Sequence, residues 1–180
     1  MKSIAEMTLG ELAAFVQSHL NQHGVEVVLS GGACVSIYSS GKYVSLDLDL
    51  VNVRSENIRV LRELMRVIGF HEQRRYFKHP DSQFLVEFPP GPLTIGEEPV
   101  SRVDEVKLST GFLRIISPTD CVKDRLAAFY HWGDRQSLSQ AILVAQAQEI
   151  DIGEIRRWST IENKLDQFEK IEDKLASKDT

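Results

Sequence analysis

Cysteine is nearly absent from this chain: Cys34 and Cys121 are the whole supply in 180 residues. Two thiols so far apart, each inside a segment that reads as a helix, provide neither a disulfide framework nor metal-ligand spacing. Both are expected to be buried thiols. Long apolar runs are lacking too, since no stretch approaches the roughly 18 apolar residues that a membrane span requires. Met1 to Glu11 carries acids where a secretion signal would carry an apolar core. The expected location is cytoplasmic, without membrane contact. Positive charge is also short, with 21 Lys and Arg against 26 Asp and Glu and a net charge of −5. Such a surface repels phosphate backbones as a whole, which argues against broad nucleic-acid binding and leaves room for a local basic patch. Internal repeats and low-complexity linkers are missing, so nothing marks off a separate module.

What is present is ordinary globular material, 42% hydrophobic and 26% charged, enough for one core with a small appendage. Thr8 can cap a helix in which Leu9, Leu12, Ala13, Val16 and Leu20 recur at helical spacing, with Gly24 at its end. Val25 to Leu29 reads as a buried strand, Ser30-Gly31-Gly32 as a sharp turn and Ala33 to Tyr38 as a short helix. Val44 to Val51 alternates, with Leu46, Leu48 and Leu50 on one face and Ser45, Asp47 and Asp49 on the other.

A helix is predicted over Glu56 to Ile68, then a hairpin of Arg74 to Lys78 and Gln83 to Phe88 around His79-Pro80-Asp81, stopped by Pro89-Pro90-Gly91-Pro92. Strands over Glu105 to Leu108 and Phe112 to Ile116 flank the turn at Thr110-Gly111. Ser117-Pro118-Thr119-Asp120 starts a helix with Val122, Leu126 and Phe129 as its stripe. Further helices are expected over Asp134 to Ala147 and Ile150 to Trp158. A terminal amphipathic one carries Ile161, Leu165, Phe168 and Leu175, and Ala176 to Thr180 is expected to fray. Trp132 reads as core, His131 as lacking a partner, and Asp134 and Arg135 as cap and surface residues. The division that follows is an αβ core over 1–116 and a helical C-terminal part over 117–180.

Asp47 and Asp49, at i and i+2 of one strand, lie about 7 Å apart, an arrangement that is unfavourable unless a cation joins them; taken alone the pair reads as a solvated face, and its context favours the cation. Magnesium suits them, because it binds a few carboxylates and keeps positions for water and phosphate. Upstream, the backbone amides of Ser30-Gly31-Gly32 at a helix start can receive a triphosphate without side-chain interference.

The order of strand, Gly-Gly turn, short helix, Ser-x-Asp-x-Asp strand and later acidic strand resembles the DNA polymerase beta-like nucleotidyltransferases. Leu29-Ser30-Gly31-Gly32 matches the glycine motif, Asp47 and Asp49 the paired acids, and Ser45 the serine often found before them. Glu87, within Phe84-Leu85-Val86-Glu87-Phe88, fits the third carboxylate. Ser117 to Ala128 also looks like the helix after the catalytic sheet in bacterial members, including relatives of abortive-infection toxins, so the likeness spans about Val25 to Ala147. The resemblance implies an α+β fold, a mixed sheet flanked by helices and followed by a helical C-terminal part.

The activity implied is transfer of a nucleoside monophosphate from a triphosphate to an acceptor hydroxyl. The cofactor implied is magnesium in a two-metal site, with manganese a substitute. Asp47, Asp49 and Glu87 would bind metal, and Glu87 would take the acceptor proton. Ser30, Gly31, Gly32 and Ser45 would contact the nucleotide. Lys123 and Arg125 would either neutralise the triphosphate or form solvated ion pairs with Asp120 or Asp124. The acceptor, whether protein, RNA or small molecule, stays open. Two other readings compete: a regulatory module of the same fold that lost turnover and contacts partners through Ile161 to Leu175, and a sugar transferase with an Asp-x-Asp metal site.

Overall fold

The computed structural model describes residues 2–177. Thr8 opens the first long helix as expected. Its hydroxyl accepts the Glu11 N–H at 3.3 Å while the Glu11 carboxylate accepts the Thr8 N–H at 2.8 Å, satisfying two orphan donors at once. Helix α1 (Leu9–Gln22) buries Leu12, Ala13, Val16 and Leu20. There follow β1 (Val27–Ser30), α2 (Gly31–Tyr38), β2 (Asp47–Asn52), α3 (Ile58–Val67), β3 (His71–Gln73), β4 (Tyr76–Lys78) and β5 (Leu85–Glu87). A two-stranded ribbon, β6 (Thr94–Ile95) and β7 (Glu98–Pro99), precedes β8 (Val103–Leu108) and β9 (Gly111–Ile116). The chain closes with α4 (Pro118–Trp132), α5 (Arg135–Ala147), α6 (Ile152–Ile161), α7 (Leu165–Glu169) and α8 (Glu172–Ala176).

The main sheet is mixed and seven-stranded, in the order β3-β4-β5-β2-β1-β9-β8. β2 runs antiparallel to β1 and parallel to β5, and β1 runs parallel to β9. Leu29, Leu48, Leu50, Phe77, Val86 and Ile115 lie fully inside, so one face of the central strands is apolar. β1 and β9 pair only at Leu29 opposite Ile115. Gln17 of α1 braces the neighbouring residue of β9. Its side-chain amide donates to the Arg114 carbonyl at 2.8 Å and accepts the Arg114 N–H at 2.8 Å, as a backbone amide would.

The helical part is fastened by Ser117 and Asp120. Ser117 caps α4 by accepting the Asp120 N–H at 3.1 Å. Asp120 is completely buried, and its Oδ2 accepts from Ser101 N–H, Ser101 hydroxyl, Arg102 N–H and Ser117 hydroxyl, tying the start of α4 to the segment before β8. Trp158 of α6 fills the space behind it, with Tyr130 stacked at 5.8 Å and its indole N–H given to the Ile95 carbonyl at 3.3 Å. Among the described residues no helix is long and apolar enough to cross a membrane.

Several expectations are corrected. β2 starts at Asp47, and Leu46 and Val44 are exposed at 53% and 71%, because chain outside the sheet has no opposing layer to bury them. α2 starts at Gly31 rather than Ala33. The first hairpin strand, expected from Arg74, starts at Tyr76, because Arg74 with its left-handed φ of 61° lies in a turn, and a further strand, β3, precedes that turn. The terminal helix is broken into α7 and α8, and Phe168, Ile171 and Leu175 of this segment are buried against the fold. Trp132 is 80% exposed, and His131 has a partner in Glu162 at 3.1 Å. Of the tail expected to fray, Ala176 ends α8, while 178–180 lie outside the described residues.

Gln17→Leu keeps the volume but removes both amide contacts, leaving the Arg114 N–H without its acceptor. It is expected to destabilise by on the order of 2–4 kcal/mol in urea titration, whereas Gln22→Leu on the exposed end of the same helix changes stability by under about 0.5 kcal/mol.

Candidate active site

Strand register assembles the site. Residues directly opposite one another on neighbouring strands share a face, and one such row runs Ser30, Asp49, Glu87, Tyr76, Gln73 across β1, β2, β5, β4 and β3. At about 4.8 Å per strand it places the Glu87 backbone one strand spacing from that of Asp49. The adjacent row on the same face runs Asp47, Leu85, Lys78, His71. Asp47 thus lies on the face of Asp49 and Glu87, opposite to the one that buries Leu48 and Leu50.

Ser30 is the residue before α2, and its hydroxyl lies 3.5 Å from the Asp49 carbonyl without capping the helix itself. Gly31 has φ of 71°, and a β-carbon there would overlap the Asp49 carboxylate. Glycine is therefore required twice over, for the backbone angle and for the contact. A β-carbon on Gly32 would make ordinary contact with Tyr43 and Ser45 at 3.5 Å. The Ser45 hydroxyl is already used by the protein: it donates to the Asp47 carbonyl at 2.9 Å and accepts the Asp47 N–H at 3.2 Å. Ser36 of α2 in turn accepts the Ser45 N–H at 2.8 Å, so Ser45 anchors the start of β2 to α2.

The electrostatics follow from this crowding. Burial pushes the Asp49 carboxyl up to about 6, Glu87 adds to the rise, Arg125 opposes it, and Asp124 and Asp47 raise it further. Arg125 is bound to Asp124 at 2.5 Å, so the cation nearest this problem is partly committed elsewhere. Glu87 has its own partner in Arg75, with Nε 3.5 Å from Oε2. Among the described residues, no three His, Cys, Asp or Glu side chains are already grouped to hold a metal ion.

Lys123 takes a different place from the one expected. It is 1% exposed, with its ammonium 3.0 Å from Glu154 and 3.1 Å from Asp120 and 5.9 Å from the centre of the Trp158 ring. The expected solvated pair is a sealed one, because Asp120 stands one helical turn away and α6 closes over both. Arg75, Tyr76 and Asp124 were missed. Tyr76 stands opposite Glu87 through the pairing of β4 with β5, which no local pattern announces.

Without divalent ions, the folded carboxyl of Asp49 at about 6 exceeds its unfolded value of 3.8. Folding then favours the protonated form. The stability this group contributes is complete below about pH 4 and is lost as pH rises through about 6. Asp49→Asn, neutral throughout, is expected to exceed the wild type by about 1 kcal/mol near pH 8 in chelator, after allowance for solvent screening. The gap should close toward pH 4 in urea titrations. An Asn variant that is less stable near pH 8 would mean that the fold itself satisfies the carboxylate.

Sequence comparison with protein families and with curated proteins finds no match. Structural comparison does. An antigenic nucleotidyltransferase-like protein from Paracoccidioides brasiliensis superposes with a TM-score of 0.64 at 14% identity, covering 94% of this chain and 93% of that one. The antibiotic-resistance factor ANT(2'')-Ia in solution gives 0.53 at 12% identity, covering 90% and 95%. The same factor in complex with adenylyl-2''-tobramycin gives 0.50 at 12% identity, covering 87% and 94%. With its mixed seven-stranded sheet, flanking helices and C-terminal helices, the chain shares the α+β fold of these nucleotidyltransferase-like structures.

Proposed function

We propose that this protein transfers a nucleoside monophosphate from a nucleoside triphosphate to an acceptor hydroxyl, with magnesium, or manganese in its place, as cofactor. The observation that carries the reading is the contact of Gly31 with Asp49: a backbone turn stripped of side chain, pressed against a carboxylate that burial and like charge drive toward neutrality. A dication relieves that carboxylate, so the donor set of Asp47, Asp49 and Glu87 fits a hard ion with oxygen ligands. Bound there, magnesium would supply charge neutralisation for the triphosphate and would acidify the acceptor hydroxyl.

The protein's own groups do the rest. Gly31 and Gly32 offer backbone N–H groups at the positive end of α2, which orients phosphate oxygens. Ser30 stands beside them, and Ser45 acts at one remove by fixing Asp47. Arg125 offsets part of the negative charge, whereas Lys123 holds α4 to α6. Glu87, released from Arg75, accepts the proton of the acceptor hydroxyl as its oxygen bonds to the α-phosphorus and the bond to the β-phosphate oxygen breaks, releasing pyrophosphate. The structural neighbours support the fold on which this chemistry is built, and one of them was solved with an adenylylated product.

The test is incubation with each labelled triphosphate, magnesium and a cell extract, followed by fractionation into protein, RNA and small molecules. Label should enter one fraction only when magnesium is present. Asp47→Asn and Glu87→Gln should each cut transfer on the order of 100-fold or more while keeping the wild-type circular dichroism spectrum. Equal triphosphate affinity in chelator and in magnesium, with no labelled fraction, would overturn the reading.

A further inference from the structure

The acceptor side of the site carries its own chemistry. If the triphosphate lies over Gly31, at the Ser30 end of the row, the acceptor hydroxyl must reach Glu87 from the other end, over β4 and β3. There the sheet face opens into a cleft of about 370 Å³ lined by Gln73, Arg74, Tyr76, Lys78 and Leu85. Arg74 and Lys78 are exposed and make no ion pair among the described residues. Arg75 lies over the Tyr76 ring at 4.8 Å. The nearby acid Glu72 is bound to Arg62, and no carboxylate lines the cleft. On a chain of net charge −5, Arg74, Arg75 and Lys78 form a local cationic patch within five residues, placed beside the proposed proton acceptor.

Resting on the transferase reading above, we propose that the acceptor is a phosphate-bearing nucleotide end whose ribose hydroxyl meets Glu87 while its phosphate lies between Arg74 and Lys78 and its base lies along the Tyr76 and Arg75 platform. Guanidinium and ammonium groups recognise phosphate, and an aromatic ring with a planar cation receives any base without reading its sequence. A cleft of about 370 Å³ suits the end of a strand, which agrees with a chain whose net charge of −5 repels longer ones. A polycationic acceptor, such as the tobramycin carried by a structural neighbour, meets like charge here. Arg75 takes part in both states: it pairs with Glu87 in the free protein and is freed toward the phosphate when Glu87 is called on.

Binding is measured first, so that the outcome does not depend on turnover: fluorescence anisotropy of a 5′-phosphorylated trinucleotide RNA, with AMP and tobramycin as competitors. The wild type should bind the trinucleotide with an affinity that falls as salt rises. Arg74→Ala/Lys78→Glu should weaken binding roughly tenfold or more, with magnesium-dependent triphosphate binding unchanged. Competition by AMP equal to that by unlabelled trinucleotide assigns the site to a free nucleotide, and weaker competition assigns it to a strand end. In transfer assays the same variant should raise the acceptor KM and leave the triphosphate KM alone. No trinucleotide binding, or equal binding by the variant, overturns this inference while leaving the transferase reading intact, as does preferred transfer to tobramycin. Loss of magnesium-dependent triphosphate binding in the wild type strikes the transferase reading instead.

Discussion

Everything at the candidate site depends on β2 being held in one register between β1 and β5. Because side chains alternate along a strand, a slip of one residue would carry Asp49 into the core and Leu48 out to the carboxylates. Leu48 and Leu50 of β2, Leu29 of β1, Val86 of β5 and Phe77 of β4 are all fully buried on the far face. Each contributes about 1.5–3 kcal/mol on burial. That apolar face outweighs the cost of burying Asp49 beside Glu87, so the register holds although it sets like charges on neighbouring strands. Gly31 adds a second lock, since the close approach of α2 to Asp49 exists only in this register.

The parts of this arrangement set by local rules were legible in the sequence. Alternation around Leu48 and Leu50 located the acidic strand, and the Thr8 and Ser117 caps located two helix starts, because caps and periodicity act within a few residues. What was not legible depended on partners distant in the chain. Leu46 continues the alternating pattern, yet its burial required an opposing layer that ends one residue later. Lys123 and Arg125 are two residues apart on α4 with similar sequence surroundings. Only the packing of α6 decides that one is sealed against Glu154 and the other acts on Asp49. The turn at Arg74 was hidden for another reason: a non-glycine residue in the left-handed region leaves little compositional trace.

The structure also divides its charges by role. Asp120 and Lys123 spend theirs inside, and the cost of burying them is offset by the donors from Ser101, Arg102 and Ser117 and by Glu154. This pair holds the helical part to the sheet and is removed from the chemistry. Asp49, by contrast, is buried beside Glu87 with Arg125 as its opposing charge, and its carboxyl is driven toward neutrality.

The strand order has a further consequence for the nascent chain. β1, β2, β4 and β5 lie within the first 87 residues, so the acidic row can be assembled before the second half of the protein leaves the ribosome. The other edge of β1 has to wait for β9, which begins at Gly111, and for that interval it is an open, apolar strand edge. Val27, Val28 and Leu29 are the residues presented there. The interval in which this chain is most vulnerable to wrong pairing therefore falls between completion of its acidic face and arrival of the strand that covers it.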